Sequence, residues 1–164
     1  MVYGAGSVGC YVAGRLLAAV ARARLIARAS TAQELSTHGL RVSDHRGESL
    51  RVDPARVSVH TDPDAVRGAA LVLVTAKSVA TEQVAHELAR VTEPGTLVVS
   101  LQNGMRNAAV LSRALAGRRV LSGMVPFNVV RREPGWFHQA SEGELECERV
   151  FVMAPFAALF ERAG

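Results

Sequence analysis

The sequence predicts an α/β fold in which a doubly wound, mostly parallel sheet carries helices on both faces. Three observations predict it. Short apolar runs typical of buried strands alternate along the chain with segments of helical periodicity. Aromatic residues form only 5% of the 164 residues, so the core has to consist of aliphatic side chains, which suits buried parallel strands. A glycine-rich turn separates the first apolar run from an apolar helix.

The chain begins with a strand, a helix and a second strand. Residues 1–3 are predicted to end a short strand, and residues 10–21 to form a helix that is apolar on nearly every side and therefore buried. Residues 24–27 form the second predicted strand.

A second helix and a hairpin follow. Ser30 and Thr31 each begin the capping-box pattern Ser/Thr-x-x-Gln/Glu, so we expect a helix to start there and to end at Gly39. Apolar and polar residues alternate on both sides of a polar turn within residues 40–52, which predicts a β-hairpin. Residues 57–59 predict a further short strand.

Two continuous apolar runs, residues 69–75 and 96–101, predict buried parallel strands in the middle of the sheet. Apolar residues at helical spacing predict a helix over residues 80–91 between them. A helix over residues 106–116 and a strand over residues 119–122 are predicted to follow.

The last quarter of the chain predicts a second hairpin. Residues 125–130 and 136–139 flank the triplet Glu-Pro-Gly at 133–135, whose proline and glycine suit a type II turn. Residues 145–147 predict an edge strand, and residues 155–163 predict a short amphipathic helix.

The glycine-rich turn has the pattern G-x-G-x-x-G and consists of Gly4, Ala5, Gly6, Ser7, Val8 and Gly9. Because it follows a strand and opens a helix, its first glycine permits a tight turn and its second lets the backbone approach a pyrophosphate. Its third glycine allows close helix–strand packing. The helix N-terminus adds free N–H groups and a positive dipole end. A glycine turn without a ligand is the alternative, but this context favours a Rossmann-type domain that binds a nicotinamide dinucleotide.

Arg28 at the end of the second predicted strand indicates which dinucleotide binds. A site for NAD places an acidic residue there, which accepts a hydrogen bond from the ribose 2′-hydroxyl. An arginine instead suits the 2′-phosphate of NADP, because its planar guanidinium binds phosphate oxygens in pairs. We therefore expect NADP (as NADPH), with a solvated surface arginine as the alternative.

Lys77 and Asn103 follow the two central apolar runs. Ligands of open α/β sheets bind beyond the carboxyl ends of the strands, where both residues are expected to lie. Lys77 can offer positive charge to a carboxylate or to the cofactor, and it is the only lysine among 19 basic residues. Asn103 can donate and accept hydrogen bonds near the nicotinamide ribose. The alternative for Lys77 is a surface charge at a helix start.

Composition argues against several other classes of protein. The net charge of +4 comes from scattered arginines that aromatic residues do not accompany, so a nucleic-acid partner is not expected. No apolar run approaches the roughly 18 residues that span a bilayer, so a membrane partner is not expected either. Cys10 and Cys147 predict neither a disulfide nor a metal site, and a cytoplasmic location follows. Cys10 is interpreted as a small packing residue.

Four segments together resemble the ketopantoate reductase family, the NADPH-dependent 2-dehydropantoate 2-reductases of pantothenate biosynthesis. They are residues 4–11 (GAGSVGCY), 25–28 (LIAR), 74–77 (VTAK) and 101–105 (LQNGM). They occur in the family's order and separations, and the resemblance covers essentially the whole chain.

The resemblance implies roles for individual residues. The glycine loop, Lys77 and Asn103 would contact the cofactor, and Lys77 and Asn103 would also lie close to the substrate, a branched 2-oxo acid. Val129 would touch the nicotinamide end through its backbone. The hydride would pass from NADPH to the 2-oxo carbon, with a lysine as proton donor.

The resemblance also implies a second, helical domain, which carries the proton donor and a substrate-binding glutamate. That domain would begin where this chain stops, at Gly164. We therefore expect an NADP-binding Rossmann domain over residues 1–150 and a helical stub over residues 151–164, with catalytic residues outside the chain. A homodimer is left open as the assembly.

Two departures from the family's pattern stand out. Val125 and Pro126 replace a usual pair of threonines, which leaves the identity of the 2-oxo acid open. The glycine that usually ends the first helix is also missing from residues 20–22.

Two rival functions follow from the same residues. One is a non-catalytic NADP-binding module, such as a redox sensor or a pseudoenzyme. The other is an NADP-dependent enzyme whose helical domain is a separate chain. An exposed apolar surface around Phe151, Phe156 and Phe160 would support the second.

Overall fold

The computed structural model describes residues 1–19, 22–104, 106–148 and 153–163. Within these ranges the chain forms two sheets and five α-helices. The larger sheet contains β1 (Val2–Tyr3), β2 (Arg24–Ile26), β5 (Ser58–His60), β6 (Leu71–Val74), β7 (Leu97–Ser100), β8 (Arg119–Met124) and β11 (Glu146–Cys147). The smaller sheet contains β3 (Leu40–Ser43), β4 (Ser49–Val52), β9 (Val129–Glu133) and β10 (Trp136–Gln139). The helices are α1 (Ser7–Ala18), α2 (Ala29–His38), α3 (Thr81–Val91), α4 (Arg106–Ala114) and α5 (Ala154–Ala163).

The larger sheet has the strand order β11-β8-β7-β6-β1-β2-β5. Six strands are parallel, and β11 alone runs antiparallel to its neighbour β8. One face is covered by α1, α5 and the smaller sheet, and the other by α3 and α4. The predicted doubly wound α/β fold is thereby confirmed. Every residue of β6 and β7 is buried, as their unbroken apolar sequences predict for central parallel strands.

Helix α1 begins three residues earlier than the sequence predicted, at Ser7 rather than at residue 10. Gly6 is its N-cap, so the helix starts inside the glycine motif. The helix lies close to β3, since a Cβ atom on Gly14 would stand 2.4 Å from Cγ1 of Val42. The predicted end of the helix, at residues 20–21, lies outside the described residues.

The predicted capping boxes of α2 are wrong. The helix begins at Ala29 with Arg28 as N-cap, and no side chain caps it among the described residues. Glu34, the acidic residue of the second box, is engaged elsewhere. Its carboxylate accepts hydrogen bonds from the Gly135 backbone N–H (2.8 Å) and from the Arg131 guanidinium (2.6 Å). The long-range bonds to the second hairpin take the place of the local cap. The predicted end at Gly39 is confirmed, with φ +69° there.

Both predicted hairpins form, although the first strand of the second hairpin is residues 129–133 and not residues 125–130. The two hairpins join into one sheet that the sequence did not predict. Strand β10 pairs with β9 in an antiparallel hairpin and with β3 in parallel. Gly135 has φ +73°, as the second central position of a type II turn requires. The guanidinium of Arg41 stacks over the Trp136 ring at 3.9 Å, which ties the two hairpins together across the parallel pair.

Helix α5 confirms the short helix predicted over residues 155–163, and it packs on α1. Nε of Arg15 donates a 2.5 Å hydrogen bond to the carbonyl oxygen of Ala163. Phe156 and Phe160 are each only partly buried, packed against the core, so the alternative of a helical domain on a separate chain stays a prediction. Phe151 lies outside the described residues, and the domain division at residue 150 stays a prediction. No helix in the described ranges combines the length and apolar character that crossing a membrane requires.

Candidate functional site

The strand order places the predicted site residues at one edge of the larger sheet. The chain leaves β1 for one side of the sheet through α1 and β2, and it returns to the other side at β6, next to β1. Such a reversal of strand order opens a crevice beyond the carboxyl ends of the strands. The glycine loop follows β1, Lys77 follows β6 and Asn103 follows β7, so all three lie along this edge.

Two glycines of the loop are required by packing within the protein. Gly4 has φ +105°, and a Cβ atom there would stand 2.6 Å from the Ala76 nitrogen. A Cβ atom on Gly9 would stand 2.3 Å from the Gly4 carbonyl oxygen and 2.6 Å from Oγ1 of Thr75. The Thr75 hydroxyl itself donates a 2.8 Å hydrogen bond to the Gly4 carbonyl oxygen. The loop is therefore fixed against the end of β6.

Gly6 differs from these two glycines because the space beside it is open. It is exposed, and no heavy atom lies within 4 Å of the place that a Cβ atom would occupy. It caps α1, whose first turn is fully described and holds no acidic side chain. The first N–H groups of a helix have no acceptor within that helix, and the helix dipole favours negative charge there. The loop therefore fits the pyrophosphate of a dinucleotide, which can approach Gly6 without meeting a side chain.

Arg28 stands next to this loop in the fold. The backbone N–H groups of Gly4 and Ala5 both donate to the Ile26 carbonyl oxygen, at 3.1 and 3.0 Å, and Arg28 is two residues further along. Its side chain is exposed and forms no ion pair with another described residue. Its position at the end of β2 matches the predicted place for recognition of a ribose phosphate.

Lys77 and Asn103 are both exposed, on loops that are bonded to each other. The Ser78 hydroxyl donates a 2.9 Å hydrogen bond to the Asn103 carbonyl oxygen. Nε2 of Gln102 donates a 2.9 Å hydrogen bond to the Ala76 carbonyl oxygen. Lys77 and Asn103 therefore lie on neighbouring loops that are hydrogen-bonded to each other.

Several polar residues beneath these loops were missed by the sequence analysis. Thr81, Gln102 and Asn107 are buried, with 3%, 6% and 7% exposure, and they are hydrogen-bonded to one another or to the loops. One signal could have found Gln102, which directly follows a buried strand and precedes Asn103. Asn107 occurs within a predicted helix, where the sequence gives no indication that it reaches two loops.

Val129 is the first residue of β9 in the smaller sheet, and β9 packs on α1. It is half-buried, pairs with Gln139 and packs against the core on the α1 face. The structure therefore connects Val129 to the glycine loop through α1, and its predicted backbone contact with the nicotinamide stays a prediction.

Cys10, in the middle of the glycine motif, is a packing residue as predicted. It is fully buried, and its thiol lies 3.5 Å from the Ala5 carbonyl oxygen. Burial, together with the nearby Glu34 carboxylate, raises the pKa of the Cys10 thiol to about 12. The thiol is therefore protonated and unreactive at neutral pH.

A cavity of about 840 Å³ lies outside the site. It is open at the amino ends of the central strands, between Met1, Leu71 and Phe156, on the edge opposite the glycine loop. No group of three or more His, Cys, Asp or Glu side chains in the described part of the chain could hold a metal ion.

Comparison with known proteins places this geometry in context. The family model described as ketopantoate reductase PanE/ApbA matches residues 1–150. A 2-dehydropantoate 2-reductase of Halobacterium salinarum is 38% identical over 170 residues, which cover all of this chain and 55% of the relative.

Solved structures give the same picture. A PanE/ApbA family ketopantoate reductase from Ralstonia eutropha is 36% identical, with a TM-score of 0.87 over all of this chain and 54% of its own. A 2-dehydropantoate 2-reductase from Geobacter metallireducens is 26% identical, with a TM-score of 0.83 over 99% of this chain and 55% of its own. The chain thus spans just over half the length of the relatives it matches.

Proposed function

The chain belongs to the ketopantoate reductase family, and on that premise we propose that it is the NADPH-binding part of an enzyme that reduces 2-dehydropantoate, or a related branched 2-oxo acid, to the 2-hydroxy acid. Relatives named 2-dehydropantoate 2-reductase are oxidoreductases. NADPH as the cofactor, a branched 2-oxo acid as the substrate and a cytoplasmic location are proposed for this chain.

One observation carries the proposal: Gly6 is open at the N-terminus of α1, whereas Gly4 and Gly9 are closed by packing. The N–H groups of Ser7 and Val8 in the first turn would hold the pyrophosphate. Arg28 would bind the 2′-phosphate through paired N–H donors, with no ion pair to a described residue to break first.

The chemistry that NADPH supplies when bound is the transfer of a hydride to the 2-oxo carbon. Lys77 would attract the carboxylate of the oxo acid, and the Asn103 amide would orient the ligand by hydrogen bonding. The proton donor would belong to the second helical domain that the resemblance implies, and not to Lys77. Hydride transfer also needs the nicotinamide ring and the 2-oxo carbon to be held in contact, and Lys77 and Asn103 would promote this by orienting the two ligands.

The first test is a titration of the chain with NADPH and with NADH, followed by nicotinamide fluorescence. We expect NADPH to bind more tightly, and we expect Arg28→Ala to weaken NADPH binding about tenfold, equivalent to about 1.4 kcal/mol, with little effect on NADH. Arg113→Ala is the matched control, because Arg113 is an exposed arginine in the last turn of α4, away from the glycine loop.

Three results would contradict the proposal. If NADPH and NADH bound equally well, or if Arg28→Ala changed nothing, the assignment of NADP would be wrong. If neither nucleotide bound, the cofactor-binding role of this chain would be wrong.

A second titration separates the enzyme from a non-catalytic NADP-binding module. With NADPH at a concentration that saturates each variant, addition of 2-dehydropantoate to the chain–NADPH complex is expected to change the nicotinamide fluorescence, and Lys77→Ala is expected to abolish that change. If no 2-oxo acid had any effect, substrate binding by Lys77 and Asn103 would be contradicted.

A further inference from the structure

Asn107 connects the two loops that carry Lys77 and Asn103. It lies in the first turn of α4, and its side chain is buried beneath both loops. Its Nδ2 group lies 3.0 Å from Oγ of Ser78, the residue after Lys77, and donates at 2.7 Å to the carbonyl oxygen of Asn103 itself. A single amide thus bonds to the loop after β6 and to the loop after β7.

The remaining hydrogen-bonding capacity of Asn107 is also used. Nδ2 lies 3.2 Å from the Gly104 carbonyl oxygen, and Oδ1 lies 2.9 Å from the Thr81 hydroxyl. An asparagine side chain offers two N–H donors, and three acceptors of the protein lie within hydrogen-bond distance of Nδ2, so neither N–H group is left for a ligand.

We propose that Asn107 is a positioning residue, which fixes the separation and orientation of Lys77 and Asn103 without touching the ligand. This inference rests on the proposed function of those two residues. Asn107 acts on the two residues indirectly. It bonds to the side chain of Ser78, which follows Lys77, and to the backbone carbonyl oxygen of Asn103.

The physical reason is pre-organisation. Lys77 and Asn103 are exposed, and a loop that is not held loses conformational freedom when it binds a ligand. The bonds from Asn107 limit that freedom in advance. Their removal should therefore weaken binding through Lys77 and Asn103 together, and not only lower the stability of the fold.

A double-mutant cycle on NADPH binding tests this. Asn107→Ala is expected to weaken NADPH binding about tenfold. Lys77→Ala is expected to weaken binding in the wild-type background and to have little further effect in the Asn107→Ala background, because Lys77 is then no longer held in place. A residue that only stabilises the fold would give additive effects on binding.

Thr92→Ala is the matched control. The buried Thr92 hydroxyl donates a 2.6 Å hydrogen bond to the Leu88 carbonyl oxygen at the far end of α3, away from the two loops. Its loss should lower the unfolding temperature and leave the Kd for NADPH unchanged. If Asn107→Ala does not fold, Ser78→Ala removes the bond from Asn107 to the loop after β6 and keeps the bonds to the loop after β7. It should show the same non-additivity with Lys77→Ala.

The outcomes separate the two proposals. Normal NADPH binding by the wild-type chain, with an unchanged Kd in Asn107→Ala or with additive effects in the cycle, would overturn the role of Asn107 alone. A wild-type chain that binds no NADPH would overturn the proposed function, and the role of Asn107 with it.

Discussion

The Tyr11 hydroxyl donates a 2.7 Å hydrogen bond to Oε1 of Gln139, and both side chains are buried. Tyr11 belongs to α1, the helix that starts at the glycine loop, whereas Gln139 ends β10 in the smaller sheet, 128 residues later. The Tyr11 ring also meets the edge of Phe127 at a centroid distance of 5.7 Å. Tyr11 thus bonds the helix that would bind the pyrophosphate to the smaller sheet, in addition to the close packing of Gly14 on Val42.

Tyr11→Phe is therefore expected to destabilise the protein. The ring and its contact with Phe127 remain, but Oε1 of Gln139 loses its buried partner, which costs about 1 to 3 kcal/mol. The free energy of unfolding in urea measures the loss.

Tyr3→Phe makes the same chemical change on an equally buried ring, but the lost partner is the carboxylate of Glu87, which is only half-buried. Water can replace that hydrogen bond, so the loss should be smaller. Equal stability of Tyr11→Phe and wild type would mean that the Tyr11–Gln139 bond does not join the two parts of the fold.

Gly9→Ala and Gly6→Ala should separate folding from binding. The added methyl of Gly9→Ala would collide with the Gly4 carbonyl oxygen, so we expect a loss of about 2 kcal/mol or more in the free energy of unfolding. Gly6 has φ −83° and open space beside it, so Gly6→Ala should cost about 1 kcal/mol or less as a change of N-cap.

Gly6→Ala should affect NADPH binding much more than it affects stability. Its added methyl would occupy the approach of the pyrophosphate, so the Kd for NADPH should rise about tenfold or more while the fold persists. Fluorescence titration measures the Kd, and thermal unfolding provides the control. Unchanged affinity in a folded Gly6→Ala variant would place the pyrophosphate elsewhere.

The buried Cys10 thiol should make stability fall at alkaline pH. Burial raises its pKa to about 12 in the folded state, against 9.0 for an unperturbed thiol. Between these values the unfolded chain loses a proton that the folded chain keeps, so stability decreases as pH rises from 9, by up to about 1.4 kcal/mol per pH unit. Urea unfolding at a series of pH values measures this slope.

Cys10→Ala should reduce that slope even if it lowers stability throughout. The comparison is needed because burial and the Glu87 carboxylate also raise the pKa of Tyr3, which adds to the slope above pH 10. In the folded protein at pH 8 a thiol reagent should label the half-buried Cys147 before Cys10. An equal slope in Cys10→Ala and wild type, or early labelling of Cys10, would contradict the burial argument.

Part of the fold and of the site follows from residues that act locally. The continuous apolar runs of β6 and β7 predict central strands of a sheet, where both strands lie. The order of strands and helices then determines which edge of the sheet carries Lys77 and Asn103. The glycine motif determined the turn at Gly4 and the open N-terminus at Gly6, because these depend on backbone freedom within a few residues. Gly135 determined the turn of the second hairpin for the same reason.

Other features were decided only by the tertiary structure. Glu34 bonds to the second hairpin and not to its own helix end, β10 finds β3 as a parallel partner, and Asn107 reaches the loops after both β6 and β7. Each is a choice among hydrogen-bond partners that are distant in sequence. Local pattern shows that a polar group needs a partner, but the packing of the whole chain selects which partner it meets.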